Sequence, residues 1–240
     1  MKIIGDYHTH TNFSHAKGTV EENVISAIQR GMKEIGIAEH GPKTLFVGVS
    51  EKKLHVIADQ IEDLKDKYKE IKILFNMEAN ILDLEGNIDV PRTIVPRLDM
   101  LLVGFHPNII PSRGYLPILY NNCMAKFSSS RKKIARKLNT TAMINAINKH
   151  DISIITHPGH KIDIDTHELA KVCAKRNTAL EINCRQGHKL KDFVDTALDE
   201  GVKFYINSDA HHPKDVGVMD EGIKLANELN IPKEVIINSI

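Results

Sequence analysis

Seven short apolar segments recur along this chain, separated by longer stretches in which apolar residues repeat with a helical period. The apolar segments cover residues 2–7, 34–38, 71–77, 100–105, 153–156, 178–183 and 203–207. They are rich in Ile, Val and Leu, as strands buried on both faces should be. The helical patterns cover residues 20–32, 50–68, about 131–149, 166–175, 190–200 and 219–229. This alternation predicts parallel strands joined by right-handed crossovers.

Seven such strands favour a barrel over an open sheet, although periodicity by itself does not decide whether the sheet closes. The third crossover departs from the pattern, because residues 81–98 contain turn residues rather than a helical repeat. At 240 residues, the chain has a length that α/β barrels commonly fill as one domain. The sequence therefore predicts a single α/β domain over residues 1–240.

Charge and composition argue against several classes of partner. Lys and Arg number 32 against 31 Asp and Glu, so bulk charge does not indicate a nucleic-acid or membrane partner. No segment approaches the roughly 18 apolar residues of a membrane span, and the amino terminus has no signal-peptide pattern. Three cysteines without a CxxC spacing predict no disulfide framework. A reducing cytoplasm is the expected location.

Histidine is the anomaly of the composition, with 13 residues, and many of them follow the predicted strands. Because the carboxyl ends of parallel barrel strands share one face, side chains at those ends are expected to converge. Nine residues are placed in this way: His8, His10, His15, His40, Glu78, His106, His157, Asp209 and His211. Six other histidines fit no such pattern and are interpreted as surface or supporting residues: His55, His150, His160, His167, His188 and His212.

The nine residues have the chemistry of a metal centre. Imidazole and carboxylate suit Zn²⁺, Mn²⁺ or Fe²⁺, and the lack of cysteine among them argues against a zinc-finger type of site. His8 and His10 lie two residues apart in an extended segment, so both can bind one ion from the same side. Nine ligands are too many for one tetrahedral ion and suit three, each with open positions. The sequence predicts three divalent ions, with Zn²⁺ favoured and Mn²⁺ or Fe²⁺ as alternatives.

The charge of such a centre selects the substrate. Three divalent ions carry about +6, and only Glu78 and Asp209 among the nine ligands are anionic, which leaves roughly +4. A hydroxide and a phosphate dianion would offset most of this excess, whereas a neutral ester or peptide would not. We therefore predict hydrolysis of a small phosphomonoester by a metal-bridging hydroxide, with no side chain assigned as the nucleophile. Arg185, just beyond the sixth strand, is a candidate to bind a phosphate oxygen, and a solvent-facing arginine is the alternative interpretation.

Residues 107–138 stand apart from the rest of the chain. They contain three prolines and a cluster of basic residues: Lys126, Arg131, Lys132, Lys133, Arg136 and Lys137. One interpretation is a solvated loop and helix face. The other is an insertion that forms a lid or contacts the substrate beside the active face.

The motifs that carry these residues also resemble a known family. In chain order, GDYHTHTNFSH, IGIAEHG, NMEANI, VGFHP, ITHPG, LEINC and NSDAHH are similar to the motifs of the PHP (polymerase and histidinol phosphatase) family. The similarity covers nearly the whole chain and is closest to the small stand-alone YcdX-like phosphatase branch. It implies a distorted seven-stranded (β/α)7 TIM-like barrel with a trinuclear metal centre at the carboxyl-end face.

The resemblance also implies how the ligands divide among three ions. One ion would be held by His8, His10, Glu78 and Asp209. A second would be held by Glu78, His106 and His157, so that Glu78 bridges the pair. The third would be held by His15, His40 and His211. Many relatives carry Asp at the position of His15, and the segment between His106 and His157 is longer here than in compact relatives.

Four alternatives remain open from the sequence. A histidinol-phosphate phosphatase would share every metal ligand. A phosphodiesterase or 3′–5′ exonuclease is disfavoured by the near-zero net charge and the 5% aromatic content, but the basic segment keeps it open. A metal-dependent amidohydrolase would require a bridging lysine where this chain has Glu78. A non-catalytic metal-binding scaffold would have ions saturated by protein ligands.

The sequence is compatible with a homo-oligomer. It shows no apolar stripe that would identify an interface between subunits.

Overall fold

The computed structural model describes residues 1–110, 112–160 and 162–240. Its centre is a sheet of seven parallel strands, in which each strand pairs with the next along the chain. The strands are β1 (Gly5–Thr9), β2 (Glu34–His40), β3 (Lys72–Asn80), β4 (Met100–Gly104), β5 (Ile154–Ile155), β6 (Ala179–Asn183) and β7 (Phe204–Asn207). The sheet curls into a nearly closed barrel, which confirms the predicted fold.

Side chains close the seam between β1 and β7. Among the described residues, a single parallel bridge from Thr9 to Ala210 joins the ends of the two strands. Below it, the Oδ1 atom of Asn207 accepts a hydrogen bond from the backbone of Tyr7 at 3.1 Å. The amide of Asn238 donates to carbonyls on both sides of the seam at 2.8 and 2.7 Å. These amides satisfy backbone groups that a regular ladder would otherwise pair.

The helices lie on the outside of the barrel. They are α1 (Val20–Gln29), α2 (Glu51–Lys67), α3 (Leu116–Met124), α4 (Ser129–Lys149), α5 (Thr166–Arg176), α6 (Lys191–Leu198) and α7 (Asp220–Glu228). Six correspond to the predicted helical patterns, and α3 was not predicted. Residues 81–98, all of them described, contain an isolated β-bridge between Ile81 and Ile88 and a short 3-10 turn (Val95–Arg97) in place of a crossover helix, as the turn residues there indicated. None of the described helices is long and apolar enough to cross a bilayer.

The segment 107–138 comprises a 3-10 turn (Arg113–Tyr115), α3 and the first half of α4, while Pro111 lies outside the described residues. Asn122 and Asn139 exchange two side-chain hydrogen bonds, of 2.7 and 3.0 Å, that fasten α3 to α4. Most of the basic side chains predicted here are exposed. The structure thus places a helical pair in this segment, and its role as a lid stays a prediction.

Candidate metal centre

Side chains that point into the barrel change from apolar to polar along the strands. Further from the carboxyl ends they form a buried apolar floor of Tyr7, Ala38, Leu74, Leu102 and Ile154. Since side chains of a strand alternate between its two faces, the same inner face carries His40 two residues after Ala38 and Glu78 four residues after Leu74. In β1 the register shifts between Asp6 and Thr9. Irregularities of this kind re-aim side chains near active sites, and this one accompanies the inward turn of His8.

The structure brings all nine predicted ligands together at the carboxyl-terminal face. Seven of them line a cavity of about 370 Å³: His15, His40, Glu78, His106, His157, Asp209 and His211. The other two, His8 and His10, are buried against Glu78 and Asp209. The cavity falls at the low end of the usual range for small-molecule sites.

Three of the ligands, with Asp209 beside them, are spaced as a metal coordination shell requires. The Nε2 atoms of His8 and His10 lie 3.1 Å apart. His8 Nε2 lies 3.5 Å from Glu78 Oε1 and 3.8 Å from Asp209 Oδ1. His10 Nε2 lies 3.7 Å from Glu78 Oε2 and 3.5 Å from Asp209 Oδ1. A tetrahedral ion with bonds of about 2.0–2.1 Å has ligand atoms roughly 3.3 Å apart. His8, His10 and Glu78, whose ligand atoms all lie within 4.8 Å of one another, fit one such ion, and Asp209 lies beside both histidines.

Glu78 is the centre of the whole cluster. Its Oε1 atom lies 2.8 Å from Nε2 of His157 and 3.5 Å from Nε2 of His106. Its Oε2 atom lies 2.9 Å from Nδ1 of His40. The same carboxylate therefore contacts three further histidines besides His8 and His10, as a carboxylate shared between ions would.

A third group lies on the outer side of the cluster. Nitrogen atoms of His10, His40 and His211 all lie within 4.8 Å of one another, close enough to hold one ion. The ring of His15 lies 4.5 Å from that of His211 and 5.2 Å from that of His40, centroid to centroid. The resemblance implied His15 in this group. The structure places the ring of His15 beside that of His211, whereas the ring of His10 lies nearer to that of His40, at 4.4 Å.

Unsatisfied buried atoms support binding of divalent ions here. Nδ1 of His40 and Oε2 of Glu78 are both buried and form no hydrogen bond within the described part of the chain, although they lie 2.9 Å apart. A buried polar atom without a partner costs about 1–3 kcal/mol. A divalent ion between such groups would satisfy them, and imidazole and carboxylate are suitable ligands. The residues present therefore fit the predicted metal ions.

Neighbouring charges divide the histidines into two kinds. Burial lowers the pKa of His8, but the carboxylates of Glu181, Glu78 and Asp209 together raise it well above its usual value. Burial likewise lowers the pKa of His10, yet its hydrogen bonds to carboxylates raise it to about 9. At the outer edge, burial and the nearby His40 and His10 lower the pKa of His15 to about 4. Without a bound ion, protons are therefore held by the innermost histidines.

Metal binding is accordingly expected to release protons and to weaken as the pH falls. An ion binds unprotonated imidazole, so it must displace the protons held on His8 and His10 at pH 7. Because the raised pKa of His10 is about 9, proton competition grows as the pH drops from 8 to 6, whereas His15 and His211, with pKa values of about 4 and 3, stay neutral. Calorimetric titration of metal-stripped protein with Zn²⁺ in buffers of different ionisation enthalpy would count the protons. We expect on the order of one or more per chain, and no proton release at pH 7 would contradict this assignment.

Two buried carboxylates that the sequence analysis did not single out orient the ligands. Glu181 accepts from Nδ1 of His8 at 2.8 Å and from the backbone of His157 at 2.8 Å. Glu39 accepts from the backbone of Thr11 at 2.7 Å, and its other oxygen lies 3.9 Å from Nδ1 of His10. Partners of this kind fix the ring orientation and tautomer of metal-binding histidines. The signal available in the sequence was a carboxylate inside an apolar strand segment, in IGIAEH and ALEIN.

Local backbone conformation at the site is unusual. His157 and Asp209 have φ angles of 30° and 53°, in the left-handed region that residues other than glycine rarely adopt. Such residues cost of order 1–3 kcal/mol each and occur preferentially at functional sites. At Gly104, a Cβ atom would lie 2.7 Å from both His106 and Thr156 and 3.0 Å from Glu78. Only glycine lets these side chains approach one another across the end of β4.

Arg185 lies at the rim of the cavity, as predicted for a residue that follows the sixth strand. Its side chain is 51% exposed, and its Nη1 atom lies 2.6 Å from Nδ1 of His211 and 3.8 Å from Oδ1 of Asp209. Of the six histidines outside the pattern, His160 lines the same cavity. The other five contact groups elsewhere on the protein.

Comparison with known proteins places this site in a family. Residues 6–185 match the model of the PHP domain. The chain is 31% identical to a probable phosphatase of Caldanaerobacter subterraneus subsp. tengcongensis, with 100% of this chain and 88% of that protein covered. It is also 31% identical to a probable phosphatase of Proteus mirabilis, with 98% and 89% covered.

Among solved structures, the fold is similar to that of the histidinol phosphate phosphatase of Lactococcus lactis subsp. lactis, solved with zinc, L-histidinol and phosphate. The TM-score is 0.64 at 16% identity, with 95% of this chain and 94% of that chain covered. The barrel, its His and Glu groups and these relatives define a phosphoric ester hydrolase with the means to bind divalent metal ions. The chain belongs to the PHP domain family.

Proposed function

We propose that this protein is a phosphatase that hydrolyses small phosphomonoesters at three divalent metal ions. The observation that carries the proposal is the position of Glu78, whose carboxylate oxygens lie 2.8–3.7 Å from ring nitrogens of five histidines: His8, His10, His40, His106 and His157. One carboxylate in reach of so many imidazoles is suited to share ions between neighbouring positions. Zn²⁺ is the proposed ion, with Mn²⁺ or Fe²⁺ as alternatives.

The proposed ligand sets combine the distances with the family resemblance. His8, His10, Glu78 and Asp209 would hold one ion, and Glu78, His106 and His157 would hold a second. His40 and His211 would hold the third, together with His15 or His10. When bound, the ions supply a nucleophile by lowering the pKa of water and neutralise the charge of the phosphoryl group. With two carboxylates among the nine ligands, three divalent ions would leave an excess positive charge of roughly +4. The buried carboxylates of Glu39 and Glu181 beside the ligands would reduce it to roughly +2, which still favours a phosphate dianion.

Other residues shape what the site accepts. Arg185 reaches the cavity rim and can donate to a phosphoryl oxygen. The cavity volume of about 370 Å³ suits a small phosphorylated compound. Glu181 holds the ring of His8 from behind, so that Nε2 of that ring stays directed at the cluster.

The test is phosphate release from a panel of phosphomonoesters that includes histidinol phosphate, beside one phosphodiester, with the metal content measured by elemental analysis. About three ions per chain and turnover of monoesters are expected. A strong preference for histidinol phosphate would narrow the substrate to that ester. Cleavage of the diester alone would instead indicate a phosphodiesterase, and metal without turnover of any ester would indicate a metal-binding protein.

Replacing Arg185 with alanine is expected to lower kcat/KM for a good monoester by about 10–100-fold, because a hydrogen bond to a charged group contributes about 1.5–3 kcal/mol. Arg185→Lys should recover part of the loss, since it restores the charge without the paired donors. Steady-state kinetics of both variants would measure this. Arg176→Ala, at the far end of α5, is the matched control, and equal kinetics for Arg185→Ala and the wild type would remove Arg185 from the site.

A further inference from the structure

A buried carboxylate lies behind the candidate metal centre, in the connection from β3 to β4. Asp89 is 7% exposed. Its Oδ1 atom accepts from the backbone N–H of Asn80 at 2.6 Å, and its Oδ2 atom accepts from the side-chain amide of Asn80 and from the backbone of Lys43, each at 2.9 Å. All three partners are N–H donors, so the group is placed to act only as an acceptor.

These contacts determine the orientation of the Asn80 amide. Its nitrogen donates to Oδ2 of Asp89 and, at 2.8 Å, to Oγ1 of Thr44, whose own hydroxyl donates to the carbonyl of Gly41 at 2.9 Å. A flipped amide would set its oxygen against the carboxylate of Asp89, with two acceptors facing each other. The Oδ1 atom of Asn80 must therefore face the other way, where it lies 2.6 Å from Nδ1 of His106.

The proton on His106 is fixed by the same chain of contacts. An amide oxygen only accepts, so Nδ1 of His106 carries the hydrogen. In the neutral ring the lone pair then resides on Nε2, and Nε2 is the atom that lies 3.5 Å from Glu78. This is the tautomer that a metal ligand at Nε2 requires.

Asp89 also supports the segment that follows His40. A Cβ atom added at Gly41 would lie 2.1–2.3 Å from the carboxyl atoms of Asp89, so the backbone there packs directly on the carboxylate. The N–H of Gly41 in turn donates to the carbonyl of Glu78 at 2.9 Å. Glycine at this position is required by a close approach and not by its φ angle.

We propose that Asp89 is a positioning residue that, through Asn80, holds His106 in its Nδ1-protonated tautomer and, through Gly41, holds the backbone beside His40. The role in metal binding rests on the proposed function, in which both histidines are ligands. The tautomer of His106 does not rest on it, because it is a property of the neutral His106 ring before any ion binds. His8 is oriented without an intervening amide, since its Nδ1 atom contacts the carboxylate of Glu181 directly.

The direct test is the tautomer of His106 in Asp89→Asn. An asparagine at this position offers one acceptor oxygen where the carboxylate offers two, so its N–H₂ group must face an N–H donor. The loss of the charge and of one acceptor weakens the contacts that orient the Asn80 amide. Long-range ¹H–¹⁵N spectra of metal-stripped protein labelled with ¹⁵N-histidine, recorded at a pH at which the His106 ring is neutral, distinguish the two tautomers, and the His106 signals are those missing in His106→Gln. We expect a single Nδ1–H form in the wild type and a mixed or Nε2–H form in Asp89→Asn.

Metal binding provides the second measurement. Loss of an outer partner of a ligand typically weakens metal affinity by 10–100-fold, and we expect about that loss for one of the ions in Asp89→Asn. Titration with Co²⁺ would follow it, since the visible spectrum reports the coordination of each ion as it binds. These readouts do not depend on turnover, so they stay informative if the phosphatase proposal fails.

Asp83→Asn is the matched control. Asp83 lies in the same connection, is 8% exposed, and accepts from the backbone and side-chain amide of Asn87 at 2.9 and 2.7 Å. Asn87, however, contacts Lys149 with its remaining oxygen. Asp83→Asn should therefore cost similar stability and leave both the His106 tautomer and the Co²⁺ spectrum unchanged.

Two outcomes would overturn the proposal. One is an unchanged His106 tautomer in Asp89→Asn, and the other is an equal change in Asp83→Asn. If Asp89→Asn does not fold, Gly41→Ala takes its place, since the added methyl displaces the carboxylate without removing it. The same tautomer change is expected there, and its absence would count equally against the role of Asp89.

Discussion

Replacing Glu78 with glutamine is expected to abolish most activity, with a loss in kcat/KM of about 10⁴-fold, and to leave the protein with fewer bound ions. Histidines hold the pKa of this buried carboxyl well below its usual range despite the opposing effect of burial, so the side chain is ionised. Glutamine keeps the shape but removes the charge that five imidazoles share. A loss of 10⁴-fold corresponds to about 5.4 kcal/mol of transition-state stabilisation.

The same change should destabilise the metal-stripped protein, because it leaves a protonated His8 with one carboxylate fewer in a buried setting. Breaking a buried charge pair by removing one partner costs about 3–5 kcal/mol. Elemental analysis, steady-state kinetics and urea unfolding would measure the three effects. Glu85→Gln, at an exposed position in the next connection, serves as control. Full metal content with full activity in Glu78→Gln would overturn the central role of this carboxylate.

At Asp209, asparagine and alanine are expected to have the same effect on activity and different effects on stability. Both remove the carboxylate that lies 3.5 Å from His10, and each should lower kcat/KM by about 10³-fold. The backbone at this position has φ 53°. Asparagine tolerates that conformation, whereas alanine should lose a further 1–2 kcal/mol or so in the free energy of unfolding.

Kinetics and urea unfolding of metal-stripped Asp209→Asn and Asp209→Ala would separate the two effects. Asp199→Ala, at the end of α6, where the backbone has ordinary helical angles (φ −62°), is a suitable reference for the stability change. Equal stability of the two Asp209 variants would mean that the backbone relaxes and that no strain is held there.

The strands and the ligands could be predicted because both leave local signals in the sequence. Strands buried on two faces are continuous apolar runs, and a polar residue where such a run ends is visible without any knowledge of its partners. His40 and Glu78 are examples, and both prove to be the last or nearly last residues of longer strands. The position of parallel strand ends on one face then accounts for their convergence.

Helix α3 could not be predicted in the same way. It begins at Leu116, with Pro117 as its second residue, and it contains Asn121 and Asn122, which interrupt the apolar repeat. The supporting carboxylates, Glu39 and Glu181, could not be identified from the sequence for a different reason. Glu181 is 173 residues from His8, and nothing in the local sequence specifies which histidine it orients. Contacts of this length are fixed by the closure of the barrel and not by any segment of it.

The ion proposed for His8, His10, Glu78 and Asp209 would also join the two edges of the barrel, β1 and β7. His8 and His10 come from the first strand and Asp209 follows the last, so an ion held by them would fasten the two edges that side-chain amides otherwise join. In polymer terms it would be a reversible cross-link closing a loop of about 200 residues. Binding of that ion would then complete the closure of the barrel. Its release would be coupled to the separation of β1 from β7.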